Sequence, residues 1–232
     1  MHTFSCLIKN NDKGFTFNNQ DTKLMAESTS LKNILFDLGG VILDINVLAT
    51  KEKFYNLGFP AKLLSYPENR ETDLFYKYET GQLSTEAFRN AIRDFTGLNF
   101  KDGEFDAAWN AMIVDIPKER TDMLIRLAQT YELYMLSNTS PLHVPVYEKM
   151  FERSAGVSMA MVFNRRYYSH KIGFHKPDAE AYEYVIKETG IIPEETLFLD
   201  DNIHNIKAAQ ELGFHAIHIH ERTDMLSIGY GI

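Results

Sequence analysis

Apolar positions along the chain change period several times, and the changes predict its elements. Ile34, Leu35 and Phe36 form a short continuous apolar run, as in a strand buried on both faces at the centre of a parallel sheet. From about 45 to 117 the spacing becomes helical, with little strand character. Helices are expected from Val47 to Leu57, from Glu68 to Thr80, and from Thr85 to Thr96 behind the cap residue Ser84. Gly58, Gly81 and Gly97 close them. A fourth is expected from about Asp102 to Ile113. Four such helices can bury their stripes against one another as a small bundle.

From Lys118 onward helix and strand alternate. Helices are expected from Glu119 to Thr130, Leu142 to Glu152, Asp178 to Thr189 and Asn205 to Leu212. Strands are expected from Tyr131 to Leu136, near Arg166 to Ser169, at Leu197 to Leu199 and from His215 to His220. Strands separated by helices pair in parallel through right-handed crossovers. The expected fold class is α/β, a doubly wound Rossmann-like parallel sheet, with residues 31–45 and 118–232 as core and 46–117 as a helical insert. Residues 1–30 show no sustained period and read as a loose leader, with Met25 as an alternative start. An edge strand through Phe15 and Phe17 is the competing reading.

Composition narrows the function classes. The 232 residues suit one domain with an insert, and a hydrophobic share of 44% permits a sizeable core. A net charge of −8 argues against a nucleic-acid backbone or an anionic membrane as the main partner, so a small anion would need a local positive site. The single cysteine, Cys6, excludes an intramolecular disulfide and fits a reducing compartment. With no apolar stretch of membrane-spanning length and no signal-peptide core at the N-terminus, the expected location is cytoplasmic, as a monomer or homodimer.

The chemistry gathers where strands end. Asp37 follows the first apolar run and precedes Gly39-Gly40, which is either turn chemistry or a nucleophile at the carboxyl edge of the sheet. Ser137-Asn138 and Asp200-Asp201 end two further strands, and parallel strands share that edge, so these groups should converge. Carboxylates ~4 Å apart repel by about 4 kcal/mol per pair at an effective dielectric near 20 and call for a counter-charge. Mg²⁺, which keeps waters and recruits phosphate, suits such an open oxygen-rich site, with Lys176 as a second positive charge. His218 and His220 share a strand face but lack the third or fourth partner of a zinc site, which favours a structural role. His175, beside Lys176, either touches a bound anion or faces solvent. Phe75, Tyr76, Tyr78 and Trp109 are expected in the bundle core. Asn202 and Asn205 are expected to cap the helix behind Asp201, with Asn202 also a candidate for the site itself.

The stretches FDLGGVILD, LSNTS, GFHKPDAEAY and FLDDNIHNIKAAQELG, in that order from about Leu31 to Glu221, resemble the four motifs of the haloacid dehalogenase superfamily of phosphohydrolases. The insert looks like that family's cap. YETGQLSTEAF and the FDLGGV variant are similar to a branch that includes an α-glucose-1-phosphate phosphatase. The resemblance implies a phosphatase acting on a small phosphorylated metabolite, a sugar phosphate first, with Asp37 as nucleophile forming an aspartyl phosphate. It also implies Mg²⁺ held by Asp37, the Gly39 carbonyl, Asp201 and Asp200. Ser137 and the Asn138 amide would grip phosphoryl oxygens, and Lys176 would neutralise charge.

One position departs from the family pattern. Most of its phosphatases carry Asp two residues after the nucleophile, as general acid and base, where this chain has Gly39. General acid–base catalysis is worth ~10²–10⁴-fold, so either the leaving group needs little protonation or Asp44, His143 or a residue of the insert carries the proton. Asp44 reads equally well as a solvated hinge residue. A 2-haloacid dehalogenase using Asp37 without metal is the alternative, disfavoured by the Asp200-Asp201 pair. A binding or regulatory protein holding Mg²⁺ and phosphate is the other, disfavoured by the complete Asp37, Ser137, Lys176 and Asp201 set.

Overall fold

The computed structural model describes residues 31–60, 74–220 and 225–226. The expected leader, and the first turns of the helix expected from Glu68, lie outside them. Five strands form one sheet: β1 (Asn33–Phe36), β4 (Glu132–Ser137), β5 (Arg165–Tyr168), β6 (Thr196–Asp200) and β7 (His215–His218). Their order is β5-β4-β1-β6-β7 and every pairing is parallel, so the chain winds outward in both directions from the central β1. This is the expected doubly wound sheet.

Period-two alternation divides the core between the two faces of the sheet. Ile34, Phe36, Leu133, Met135, Leu197 and Leu199 face one way, packed with Met123, Leu124 and Leu127 of the Lys118–Leu127 helix and Phe151 of the Val144–Ala155 helix. Leu35, Tyr134, Leu136 and Phe198 face the other way, against Ala181, Tyr182 and Val185 of the Ala179–Thr189 helix and Ile206 and Ala209 of the Ile203–Glu211 helix. Helices therefore cover both faces, which is why β1 reads as an unbroken apolar run.

A separate, largely aromatic cluster holds the insert together. Phe54 of the Val47–Asn56 helix, Tyr78 of Leu74–Glu79, Phe88 and Ile92 of Thr85–Thr96, and Phe105 and Trp109 of Asp102–Trp109 bury one another. The Thr85–Thr96 helix has the expected bounds because its signals are local. Ser84 Oγ accepts from the Ala87 N–H at 3.1 Å, and Gly97 closes the helix in the left-handed conformation at φ 70°.

The expectation of little strand character here fails at both ends of the insert. The fourth helix stops at Trp109, a 3₁₀ turn covers Asn110–Met112, and β3 (Ile113–Asp115) pairs antiparallel with β2 (Asp44–Ile45). Helical spacing cannot reveal a ribbon of two and three residues whose partners are so far apart in sequence. Arg120, 2% exposed, locks this ribbon to the core: its Nη1 donates to the Ile42 carbonyl at 3.1 Å and to Asp44 Oδ1 at 2.9 Å. Asp44 is thus an ion-pair partner and not the solvated hinge residue of the sequence reading.

Removing one member of a buried pair strands the other. Arg120→Ala is expected to lower unfolding stability by about 3 kcal/mol, seen as a fall in the urea midpoint at unchanged m-value.

Candidate active site

Strand register explains why the expected residues meet. Phe36 lies opposite Met135 on one side and Leu199 on the other, so the next residues along, Asp37 and Asp200, leave the sheet at the same level, with Ser137 just beyond. The Asp37 N–H continues the ladder by donating to the Leu199 carbonyl at 2.8 Å. Asp37, Asp200 and Asp201 each bring a carboxylate oxygen within 4.8 Å of the other two. At that distance like charges repel by ~3.5 kcal/mol per pair at an effective dielectric near 20.

Lys176 offsets part of that repulsion. Its buried Nζ donates to Asp37 Oδ1 and to Asp200 Oδ2, both at 2.7 Å. Burial pushes the Asp37 carboxyl up to about 7, with Lys176 opposing and Asp200 and Asp201 adding to the rise. Burial alone would lower Lys176, but the two carboxylates outweigh it and its ammonium is held above its ordinary value. Asp201 is exposed, yet its carboxyl is also raised, by desolvation first and then by Asp200.

A cavity of about 260 Å³ opens beside these groups, just below the ~300–1,000 Å³ range of ordinary ligand pockets. Asp37, Gly39, Ser137, Asn138, Lys176 and Asp201 all line it. Asp200 is sealed behind them with both oxygens occupied, by Lys176 and by the Asn205 Nδ2 at 3.0 Å to each oxygen, while the Asn202 N–H donates to Oδ1 at 2.8 Å. The loop after Asp37 turns at Gly40, whose φ of +75° suits glycine, and a Cβ there would collide with the Asp201 carboxylate.

Residues 31–213 match the sequence model of a hydrolase family, the haloacid dehalogenase-like hydrolases. The chain belongs to that family. A D-ribitol-5-phosphate phosphatase of Bacteroides thetaiotaomicron is 33% identical over 184 residues, covering 79% of this chain and 89% of the relative. A haloacid dehalogenase family enzyme of Bacteroides thetaiotaomicron, in complex with magnesium and inorganic phosphate, superposes with a TM-score of 0.75 at 34% identity, over 81% of this chain and 93% of that one. A predicted haloacid dehalogenase-like hydrolase of Porphyromonas gingivalis gives a TM-score of 0.78 at 28% identity, over 86% and 97%. This chain is accordingly a hydrolase.

Several side chains stand differently from the sequence reading of this hydrolase. Asn138 spends its carboxamide on Lys176, its Oδ1 accepting from the Lys176 N–H and its Nδ2 donating to the Lys176 carbonyl, both at 2.9 Å. Among the described residues its backbone N–H has no partner. Asn202 caps the Ile203–Glu211 helix as expected, accepting from the His204 N–H at 2.9 Å, but Asn205 is no cap. It faces back to Asp200 and lines the cavity, and its Oδ1 is buried without a donor. Its place in the helix's first turn is the one signal that could have found it. His175 is not among the cavity-lining residues and keeps some exposure: it stands against the Asn138 carboxamide, the Lys176 carbonyl and, at 3.3 Å, Glu79 Oε2 of the insert. His218 donates from Nε2 to the Asp201 carbonyl at 2.8 Å, a positioning contact. Phe75 and Tyr78 lie in the insert's cluster, and Trp109 reaches beyond it to donate its Nε1–H to Ser140 Oγ at 2.9 Å. Tyr76 packs on His175. Among the described residues no helix is long and apolar enough to cross a membrane.

Gly40→Ala must place a side chain at positive φ and displace Asp201, so a loss of about 1–2 kcal/mol in unfolding stability is expected from backbone strain, measured by urea titration. His143 sets a pH dependence. Burial holds its imidazole down at about 4 in the folded state, against an ordinary value near 6.5. Between those values the unfolded chain binds the extra proton, so stability falls as pH drops through the window, with a slope of up to about 1.4 kcal/mol per unit. His143→Gln, which does not titrate, should flatten that part of the pH–stability curve.

Proposed function

We propose that this hydrolase is a Mg²⁺-dependent phosphatase that acts on a small phosphorylated metabolite, of sugar or sugar-alcohol type, through an aspartyl phosphate on Asp37. The observation that carries it is the cluster of Asp37, Asp200 and Asp201, with Lys176 bonded to the first two, beside a cavity of about 260 Å³. The names of the relatives support the class: one is a sugar-alcohol phosphate phosphatase, and another binds magnesium and phosphate. The insert over 46–117 then serves as a cap, contributing Met112 and Ile113 to the cavity wall.

The donor set fits the metal. Two carboxylates with raised protonation values, close together and facing a cavity, gain from a hard divalent cation, and the buried Asn205 Oδ1 behind them lacks a donor among the described residues. Asp37, Asp201 and the Gly39 carbonyl would hold Mg²⁺, with Asp200 one layer behind, its oxygens already engaged by Lys176, Asn205 and Asn202. When bound, Mg²⁺ supplies positive charge to phosphoryl oxygens and holds the phosphate near the nucleophile.

The residues of the chain then divide the work. One Asp37 oxygen attacks phosphorus in line with the departing ester oxygen, and the bond to the alcohol breaks. Lys176 keeps the attacking carboxylate oriented and stabilises charge as it spreads over the phosphoryl group. The Ser137 hydroxyl and the Asn138 backbone N–H bind phosphoryl oxygens. Water then attacks the same phosphorus, releasing phosphate and restoring the carboxylate. Gly39 offers no proton to the ester oxygen and Asp44 is committed to Arg120, so the departing oxygen takes its proton from solvent in the open cavity and the attacking water gives one back to solvent. A dehalogenase would have no use for three clustered carboxylates, so the phosphatase reading stands ahead of it.

Phosphate release from ribitol 5-phosphate, glucose 1-phosphate and phenyl phosphate tests the reading. Turnover should require Mg²⁺, vanish with a chelator, and fall at least about 10³-fold in Asp37→Asn. Chelator-insensitive turnover, or an Asp37→Asn variant that keeps its activity, would refute the mechanism.

A further inference from the structure

We propose that His143 is a specificity-determining residue whose Nε2 accepts a hydrogen bond from a hydroxyl group on the alcohol part of the substrate, so that the site is built for phosphate esters of polyhydroxylated alcohols. The proposal rests on the phosphatase reading and adds the side of the substrate that the phosphate-binding residues do not touch.

The geometry fixes which nitrogen is available. His143 Nδ1 lies 2.8 Å from the Asn110 carboxamide oxygen. With that oxygen facing it, only an Nδ1–H completes the bond, which leaves the lone pair on Nε2. The ring lies flat against Trp109, with centroids 5.5 Å apart and planes 13° from parallel. Trp109 is itself held by Ser140, whose carbonyl accepts from the His143 N–H at 3.1 Å. Three independent contacts therefore fix position, plane and tautomer.

The residue is only 8% exposed, and it lines the same cavity as Asp37, Lys176 and Asp201. Among the described residues Nε2 has no hydrogen-bond partner, it is not among the sealed atoms, and its ring is one of the groups lining the cavity. Leu43, Ile45, Met112 and Ile113 line the same cavity with apolar surface, and Thr139 and Tyr147 line it too. A fixed acceptor among such groups discriminates, because a ligand without a donor leaves it desolvated and unpaired.

Its low protonation value supports the same role. An imidazole that stays neutral at physiological pH is a constant acceptor and adds no positive charge for the phosphate. The Asn110–Trp109–His143 set spans the junction of insert and core, so the residue that reads the alcohol is held by the insert while the phosphate is held by the strand ends.

The test compares ribitol 5-phosphate with phenyl phosphate, which has no hydroxyl, in the full-length enzyme with Mg²⁺. His143→Leu should lower kcat/KM for ribitol 5-phosphate about tenfold or more, mainly through KM, and leave phenyl phosphate within about twofold. His143→Gln, which still presents an acceptor, should recover most of the loss. Urea midpoints establish that both variants are folded. Equal losses on both esters in folded variants would point to a proton-transfer or structural role and overturn the proposal, as would no loss on either. Wild-type enzyme inactive on every ester would instead refute the phosphatase reading, and the proposal with it.

Discussion

The structure turns on a single buried ammonium. Lys176 stands between Asp37 and Asp200 and lets two carboxylates leave water at the same end of a sheet, which neither would do alone as a charged group. It arrives from a segment beyond β5, so holding it there requires β4, β1 and β6 to end at one level. Asn138, at the end of β4, grips the Lys176 backbone from both sides. The parallel register and the charge cluster are thus mutually dependent: a slip of one residue would turn Asp37 away from the lysine and carry an apolar residue to the edge.

Charge compensation is incomplete by design of the geometry. Asp201 is outside the lysine's hydrogen bonds, close to Asp37, and beside a glycine whose missing side chain gives its carboxylate room. The protein alone leaves that side of the cluster electrically unsatisfied, and the same side faces the cavity. A layer of amides behind it, Asn202 and Asn205 on Asp200, keeps the rear carboxylate fixed while the front ones remain available.

Much of this was legible in the amino-acid sequence, for reasons that differ by element. The strand ends could be read because a buried parallel strand is apolar until it stops, so the first polar residue marks the sheet's carboxyl edge: Asp37, Ser137 and Asp200 all follow that rule. The Thr85–Thr96 helix could be read because Ser84 and Gly97 act within one turn. The β2–β3 ribbon could not, since two or three residues carry no period and the pairing is non-local. Asn205 and Asp44 escaped for another reason. Their side chains are polar in a helix turn and after a loop, where solvent exposure is the ordinary outcome, and their partners Asp200 and Arg120 reach them through the three-dimensional fold. His143 was visible as a residue, but its neutral form and fixed tautomer depend on Trp109 and Asn110 from the other side of the insert.

The β2–β3 ribbon brings the first and last residues of the insert side by side, with Arg120 clamping the entry strand to the core. To the sheet, the whole helical bundle is a closed loop whose ends are already joined. Lengthening or replacing such a loop adds only a slowly growing entropic term, about 0.6 kcal/mol per doubling of length, and leaves the strand order untouched. The bundle also has its own aromatic core, so it carries its packing with it. Such a chain can exchange its insert while the strand ends that hold Asp37, Lys176 and Asp200 together stay unchanged.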